Sequence, residues 1–193
     1  MLLVNLTGGP GSGKSTTAAY IFAKVKMAGF KAELVGEGAR ELIYDGAIPV
    51  LENQALILGQ QWQRITRLEK HGADVAICDS PLSLSIMYSQ KSPYHMELTA
   101  LIRKMESLLP ETYNIYVRRV KPYNTFGRYQ NEKQATELDQ QAMSLISPIH
   151  LSVPGDESGA LVASSEVTAL LKRIDFARQQ RLGELIEQLT EPR

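Results

Sequence analysis

The sequence predicts an α/β fold, a five-stranded parallel sheet flanked by helices and carrying a basic lid. Three observations carry this. Apolar runs of strand length alternate with helical stripes along the whole chain. A glycine-rich turn joins the first run to the first stripe. The run Val75-Ala76-Ile77-Cys78 has no charged or amide position, as expected of a central strand buried on both faces.

Each element follows from its own pattern. Leu2-Leu3-Val4-Asn5-Leu6 reads as the first strand, and Ala18, Ile21, Phe22 and Val25 then fall at helical i, i+3, i+4, i+7 spacing until Gly29. Ala32-Glu33-Leu34-Val35 is the second strand. Leu58, Trp62, Ile65 and Leu68 make a helical stripe that Gly72 closes, with Trp62 as a core residue and His71 near the helix's negative end. After the third strand, Val75–Cys78, residues Leu98, Leu101, Ile102, Met105 and Leu108 mark a helix stopped by Pro110. Tyr113 to Val117 alternates as a fourth strand, and Ala135, Leu138, Ala142 and Leu145 mark the next helix. Ile149 to Val153 is the candidate fifth strand. Val167, Leu170, Leu171, Ile174 and Ala177 continue helically, as do Leu182, Leu185, Ile186 and Leu189. Asp175 and Gly183 weaken a helix without ending it, so one helix or two remain open. With no repeat or linker, residues 1–193 are expected to form a single domain, its lid at about 118–133.

Composition narrows the classes. Lys+Arg and Asp+Glu number 21 each, so no global basic field points to an extended nucleic-acid footprint. No apolar run approaches the roughly 20 residues of a membrane span. Met1-Leu2-Leu3 leads straight into a strand rather than a cleavable leader. One cysteine, Cys78, excludes an intrachain disulfide and fits a cytoplasmic setting. His95 and His150 have no Cys/His partner at metal-ligand spacing, which argues against zinc.

The turn itself is Gly8-Gly9-Pro10-Gly11-Ser12-Gly13-Lys14-Ser15, the pattern G-x-x-x-x-G-K-[ST]. Its glycines let backbone N–H groups curl around phosphate oxygens, Lys14 reaches the β/γ-phosphates, and the Ser15 hydroxyl ligates Mg²⁺. Pro10 has no N–H, so the donors come mainly from Gly11 to Ser15, with Thr16 beside them. Strand, loop and helix in this order aim the helix dipole at the phosphates. The chain is therefore expected to bind a nucleoside triphosphate on a P-loop NTPase fold.

Other residues extend the site. Asp79 ends the third strand, where a carboxylate orients Mg²⁺ beside the loop's Ser; capping the next helix through Ser80-Pro81 is its structural alternative. Glu37, just past the second strand, is the candidate base for an acceptor hydroxyl, and Arg40 a candidate anion contact. Their alternative is a first-turn Glu with an i,i+3 partner. The segment Arg118-Arg119-Val120-Lys121-Pro122-Tyr123-Asn124-Thr125-Phe126-Gly127-Arg128-Tyr129 carries four cations and no acid. It reads as a phosphate-clamping lid in which Arg118, Arg119 and Arg128 act. Tyr123, Phe126 and Tyr129 pack the lid or stack on a base.

On the P-loop, Glu37–Arg40, Asp79 and Arg118–Arg128, the chain resembles the small P-loop kinases of nucleosides and nucleotides. The resemblance extends to bacteriophage kinase-like proteins near thymidylate kinases, including kinases of 5-hydroxymethyluracil in DNA. It implies ATP and Mg²⁺, and a nucleoside-like acceptor. It also implies an adenine contact near Pro154-Gly155-Asp156-Glu157. Thymidylate kinases follow the strand-end aspartate with an arginine for the acceptor's monophosphate; here Ser80-Pro81 follows. That leaves a nucleoside, or a base hydroxymethyl group presented by DNA, as acceptor. A phage-encoded chain would act in the host cytoplasm. The alternatives are a kinase of a free nucleoside or nucleotide, and a P-loop ATPase or nucleotide switch.

Overall fold

Alternating apolar residues in the central strands split the core into two halves, one on each face of the sheet. The computed structural model describes residues 1–36, 44–47, 50, 52–123 and 131–190, with side chains as far as 187. In β1 (Leu2–Thr7) and β3 (Val75–Cys78), Leu2, Val4, Leu6, Val75 and Ile77 face one way. Leu3, Ala76 and Cys78 face the other. The first half is closed by α1 (Lys14–Met27) through Ala18, Ile21 and Val25, and by α6 (Glu157–Thr190) through Ala163, Val167 and Leu171. The second is closed by α2 (Gln54–Lys70), the single turn α3 (Leu84–Tyr88) and α4 (His95–Glu106). Each fully buried Val, Leu or Ile contributes about 1.5–3 kcal/mol.

The strands are all parallel, in the order β2-β3-β1-β4-β5, with β2 at Ala32–Val35, β4 at Thr112–Arg118 and β5 at Leu151–Pro154. β1 is central, and the chain moves to opposite sides of it for β3 and β4. That is a topological switch point, and ligands of such sheets bind outside the carboxyl ends there. The turns after β1, β3 and β4 therefore share one rim.

The five expected strands form, with one shift. β5 begins at Leu151 rather than Ile149: the His150 N–H still donates to the Asn114 carbonyl (2.9 Å), but the other Asn114 groups turn aside. The Asn114 side chain donates to the Pro148 carbonyl (3.0 Å), and the Asn114 N–H donates to His150 Nδ1 (3.0 Å). α3 is too short to have shown a period. In α4, Leu98 and Ile102 are buried but Leu101 is exposed, as is Leu108 just past the helix, so the buried face is narrower than the apolar stripe of the sequence. α5 (Glu132–Leu145) starts with a capping box between Asn131 and Gln134, so residues 132–133 are helical. The C-terminal stretch is one helix of 34 residues running through Asp175 and Gly183. Beyond Ile174 its described side chains are exposed, Phe176 and Leu182 by 62% and 60%. Among the described residues no helix is long and apolar enough to cross a membrane.

Candidate functional site

The P-loop's shape depends on left-handed backbone at Gly8 (φ 141°), Gly11 (80°) and Gly13 (106°), a region L side chains avoid. Gly13 is the N-cap of α1, and the Gly13 carbonyl accepts the Thr17 N–H at 2.9 Å. No acidic residue lies in the first turn of α1, so the positive end of the helix is left uncompensated toward the loop. Lys14 Nζ folds back over the loop and donates to the Gly8 carbonyl (2.7 Å) and the Gly9 carbonyl (2.9 Å). Pro10 and Gly11 are half-buried, while Ser15 and Thr16 are exposed at the start of α1.

Because β3 lies directly against β1, its end meets the start of α1. Ser15 Oγ donates to Asp79 Oδ2 at 2.9 Å. Asp79 does not cap the following helix, whose N-cap is Ser83. The turn holding Asp79 is fixed from behind by Gln61, buried on α2, whose Nε2 donates to the Ser80 carbonyl and to Cys78 Sγ (3.1 Å).

Five buried side-chain polar atoms among the described residues have no hydrogen-bond partner: Thr7 Oγ1, Ser12 Oγ, Asp79 Oδ1, and Nε and Nη1 of Arg119. All five lie in the P-loop or at the carboxyl ends of β1, β3 and β4. Unpaired buried polar groups cost about 1–3 kcal/mol each and concentrate where a ligand or ion belongs. The donor set suits a phosphate ester and a hard divalent cation. Ser15 Oγ and Asp79 supply oxygens, the ligands that Mg²⁺ takes. Among the described residues no group of three His, Cys, Asp or Glu forms a self-sufficient metal cage.

The arginines after β4 do not behave alike. Arg118 is exposed as the last residue of the strand, and its carbonyl accepts the Gly155 N–H at 2.8 Å. Arg119 is not on a free loop. Its Nη2 pairs with Asp139 Oδ2 (2.5 Å) and donates to the Ala135 carbonyl (2.9 Å), both on α5, while its guanidinium lies 5.3 Å from the Tyr123 ring. Its side chain is 11% exposed. The other oxygen of Asp139 accepts the Gly9 N–H, so one carboxylate joins the P-loop, the root of the basic segment and α5. Burial raises the Tyr116 phenol above its usual range; Asp139 adds to that rise, and Arg119 and Arg118 oppose it. The expected residues Glu37, Arg40, Phe126, Arg128 and Tyr129 lie outside the described residues.

At the rim beyond β5, Gly155 touches the P-loop from below. A Cβ on it would run into the Ser12 carbonyl, and one on Gly13 would lie 2.8 Å from the Gly155 carbonyl. Asp156 is engaged locally, accepting from the Gly159 N–H (3.0 Å) and the Ser158 hydroxyl (2.7 Å). These bonds, the Gly159 N–H first, hold its carboxyl below the usual range. Sequence reasoning missed Asp139, Gln61 and the role of Gly155. For Asp139 a signal existed: it lies one helical turn after Ala135, beside the apolar stripe of α5, where an acid needs a partner.

A family model described as an AAA domain matches residues 3–152. No curated protein matches the chain. Among solved structures, APE1195 is similar at 21% identity over 90% of this chain and 96% of that one, with a TM-score of 0.52. An APS kinase from Mycobacterium tuberculosis is similar at 17% identity over 88% of this chain and 96% of that one, with a TM-score of 0.47. A shikimate kinase from Bacteroides thetaiotaomicron is 10% identical over 89% of this chain and 98% of that one, with a TM-score of 0.46.

Proposed function

The chain belongs to the AAA domain family, and we propose that it is an ATP- and Mg²⁺-dependent kinase that phosphorylates a hydroxyl of a nucleoside-like acceptor. The observation carrying this reading is the set of unpartnered buried polar atoms around the P-loop, with Ser15 and Asp79 in contact beside them. These atoms ask for phosphate oxygens and a hard cation at one spot.

In this reading the loop N–H groups hold the phosphates and Lys14 balances charge at the β/γ end. Ser15 and Asp79 hold the Mg²⁺, which when bound neutralises phosphate charge. The acceptor oxygen attacks the γ-phosphorus, the bond to the departing ADP oxygen breaks, and Glu37 takes the hydroxyl proton. Arg118, Arg119 and Arg128 supply positive charge from the same chain, which favours transfer to an acceptor over a switch that borrows an arginine from a neighbour. The narrowest version of the proposal places the acceptor hydroxyl on 5-hydroxymethyluracil in phage DNA. The wider version is a free nucleoside or nucleotide.

Incubation with γ-labelled ATP, Mg²⁺ and a panel of nucleosides, nucleotides and hydroxymethyluracil-containing DNA separates the versions. Label on one acceptor identifies it. Label released only as inorganic phosphate, whatever is added, favours an ATPase.

A further inference from the structure

Asp139 has a position that the proposed chemistry does not use. It projects from α5 with only 16% of its side chain exposed. One oxygen accepts the Gly9 N–H of the P-loop and the other pairs with Arg119. The approach is close, since a Cβ on Gly9 would collide with the Asp139 carboxylate and lie 2.7 Å from the Ala135 carbonyl. Lys14 Nζ, the group suited to β/γ-phosphates, bonds the carbonyl of the same Gly9 at 2.9 Å. The carboxylate is therefore held against the first half of the loop, beside the Arg119 guanidinium.

A carboxylate there does what a phosphate oxygen does: it accepts from a loop amide and from a guanidinium. We propose that Asp139 is an internal stand-in for the terminal phosphate, a specificity residue that sets how strongly the site distinguishes nucleoside triphosphate from diphosphate. The inference rests on the nucleotide reading above and deepens it. An arriving γ-phosphate competes with Asp139 for the Gly9 amide and for Arg119, whose Nε and Nη1 are the donors still unspent. After transfer the carboxylate takes those donors back, which favours release of the diphosphate. Repulsion between two anions this close, in partly buried surroundings, changes binding by about tenfold or more.

The test compares affinities for ADP and for an ATP analogue with a β,γ-imido bridge, by titration calorimetry in Mg²⁺ with the full chain. Asn at 139 keeps an oxygen for the Gly9 amide while removing the charge. Asp139→Asn is expected to tighten the triphosphate analogue by about tenfold and ADP by much less. Arg119→Gln leaves the carboxylate uncompensated and is expected to weaken the analogue more than ADP, with Asp139→Asn restoring part of that loss in the double variant. These two variants keep the proposal open to refutation even if one of them folds poorly. An unchanged or reduced triphosphate preference in Asp139→Asn overturns the proposal. So does an equal weakening of both nucleotides with a lowered melting temperature, which assigns Asp139 to the fold. If the wild type binds neither nucleotide, the nucleotide reading falls and this inference with it. Binding with no effect on preference removes this inference alone.

Discussion

Lys14 is where a single side chain should matter most. It lies at the start of α1 rather than in the core, with Nζ bonded to the carbonyls of Gly8 and Gly9. Replacing it by Ala is expected to leave the melting curve nearly intact and to lower phosphoryl transfer by about 10²-fold or more, the scale of losing one strong transition-state contact. Steady-state transfer at full rate in a folded Lys14→Ala variant contradicts this. Asp79 makes a different prediction. Its Oδ2 is held by Ser15 while its Oδ1 has no partner, so Asp79→Asn should raise the Mg²⁺ concentration needed for half-maximal activity by about tenfold or more. An unchanged Mg²⁺ titration contradicts that. Both residues were legible because their spacing is local: a motif eight residues long, and an acid at the end of an apolar run. Asp139 was not, since its partner Gly9 is 130 residues away and only the packing of α5 on the loop brings them together.

Among the elements, the strands were legible because burial on both faces forces apolar runs, and β3 is wholly buried along its length. Their order was not, because it depends on which edges meet after the helices have covered the faces. One consequence lies at the end of β5, where Gly155 sits against the Ser12 carbonyl. Gly155→Ala must push the P-loop aside, and is expected to weaken nucleotide binding by more than tenfold at a cost of about 1–3 kcal/mol in stability. Equilibrium titration with ATP and denaturant melts would show both effects; wild-type values in both would mean the contact is slack. α6 gives the opposite expectation. Its first half buries Ala163, Val167 and Leu171, whereas the described side chains after Ile174 are exposed. Removing residues 178–193 should therefore shift the melting temperature by no more than about 2–4 °C. A larger fall would mean that this half of the helix is covered in solution. Sequence periodicity could not separate the halves, because an apolar helical spacing resumes at Leu182, Leu185 and Ile186 after the polar run Arg178 to Arg181.

At the scale of the whole molecule, equal numbers of acidic and basic residues leave no broad field to attract a polyanion. Charge of both signs is instead gathered at one rim, where Lys14, Arg118 and Arg119 lie with Asp79 and Asp139. The sheet order puts them there: β3 and β4 flank β1, so the Asp79 carboxylate arrives from one side and arginines from the other. Such an arrangement suits transfer of a phosphoryl group more than tight binding of a long nucleic acid, and a DNA acceptor would be engaged at one nucleotide. The most direct test is a single-turnover experiment with protein in excess over γ-labelled ATP, in Mg²⁺, with and without the acceptor found by panel screening. The expected result is label on the acceptor hydroxyl, release to water much slower when the acceptor is left out, and neither reaction in Lys14→Ala. Release of the label as inorganic phosphate at one rate, with or without acceptor, would contradict the kinase.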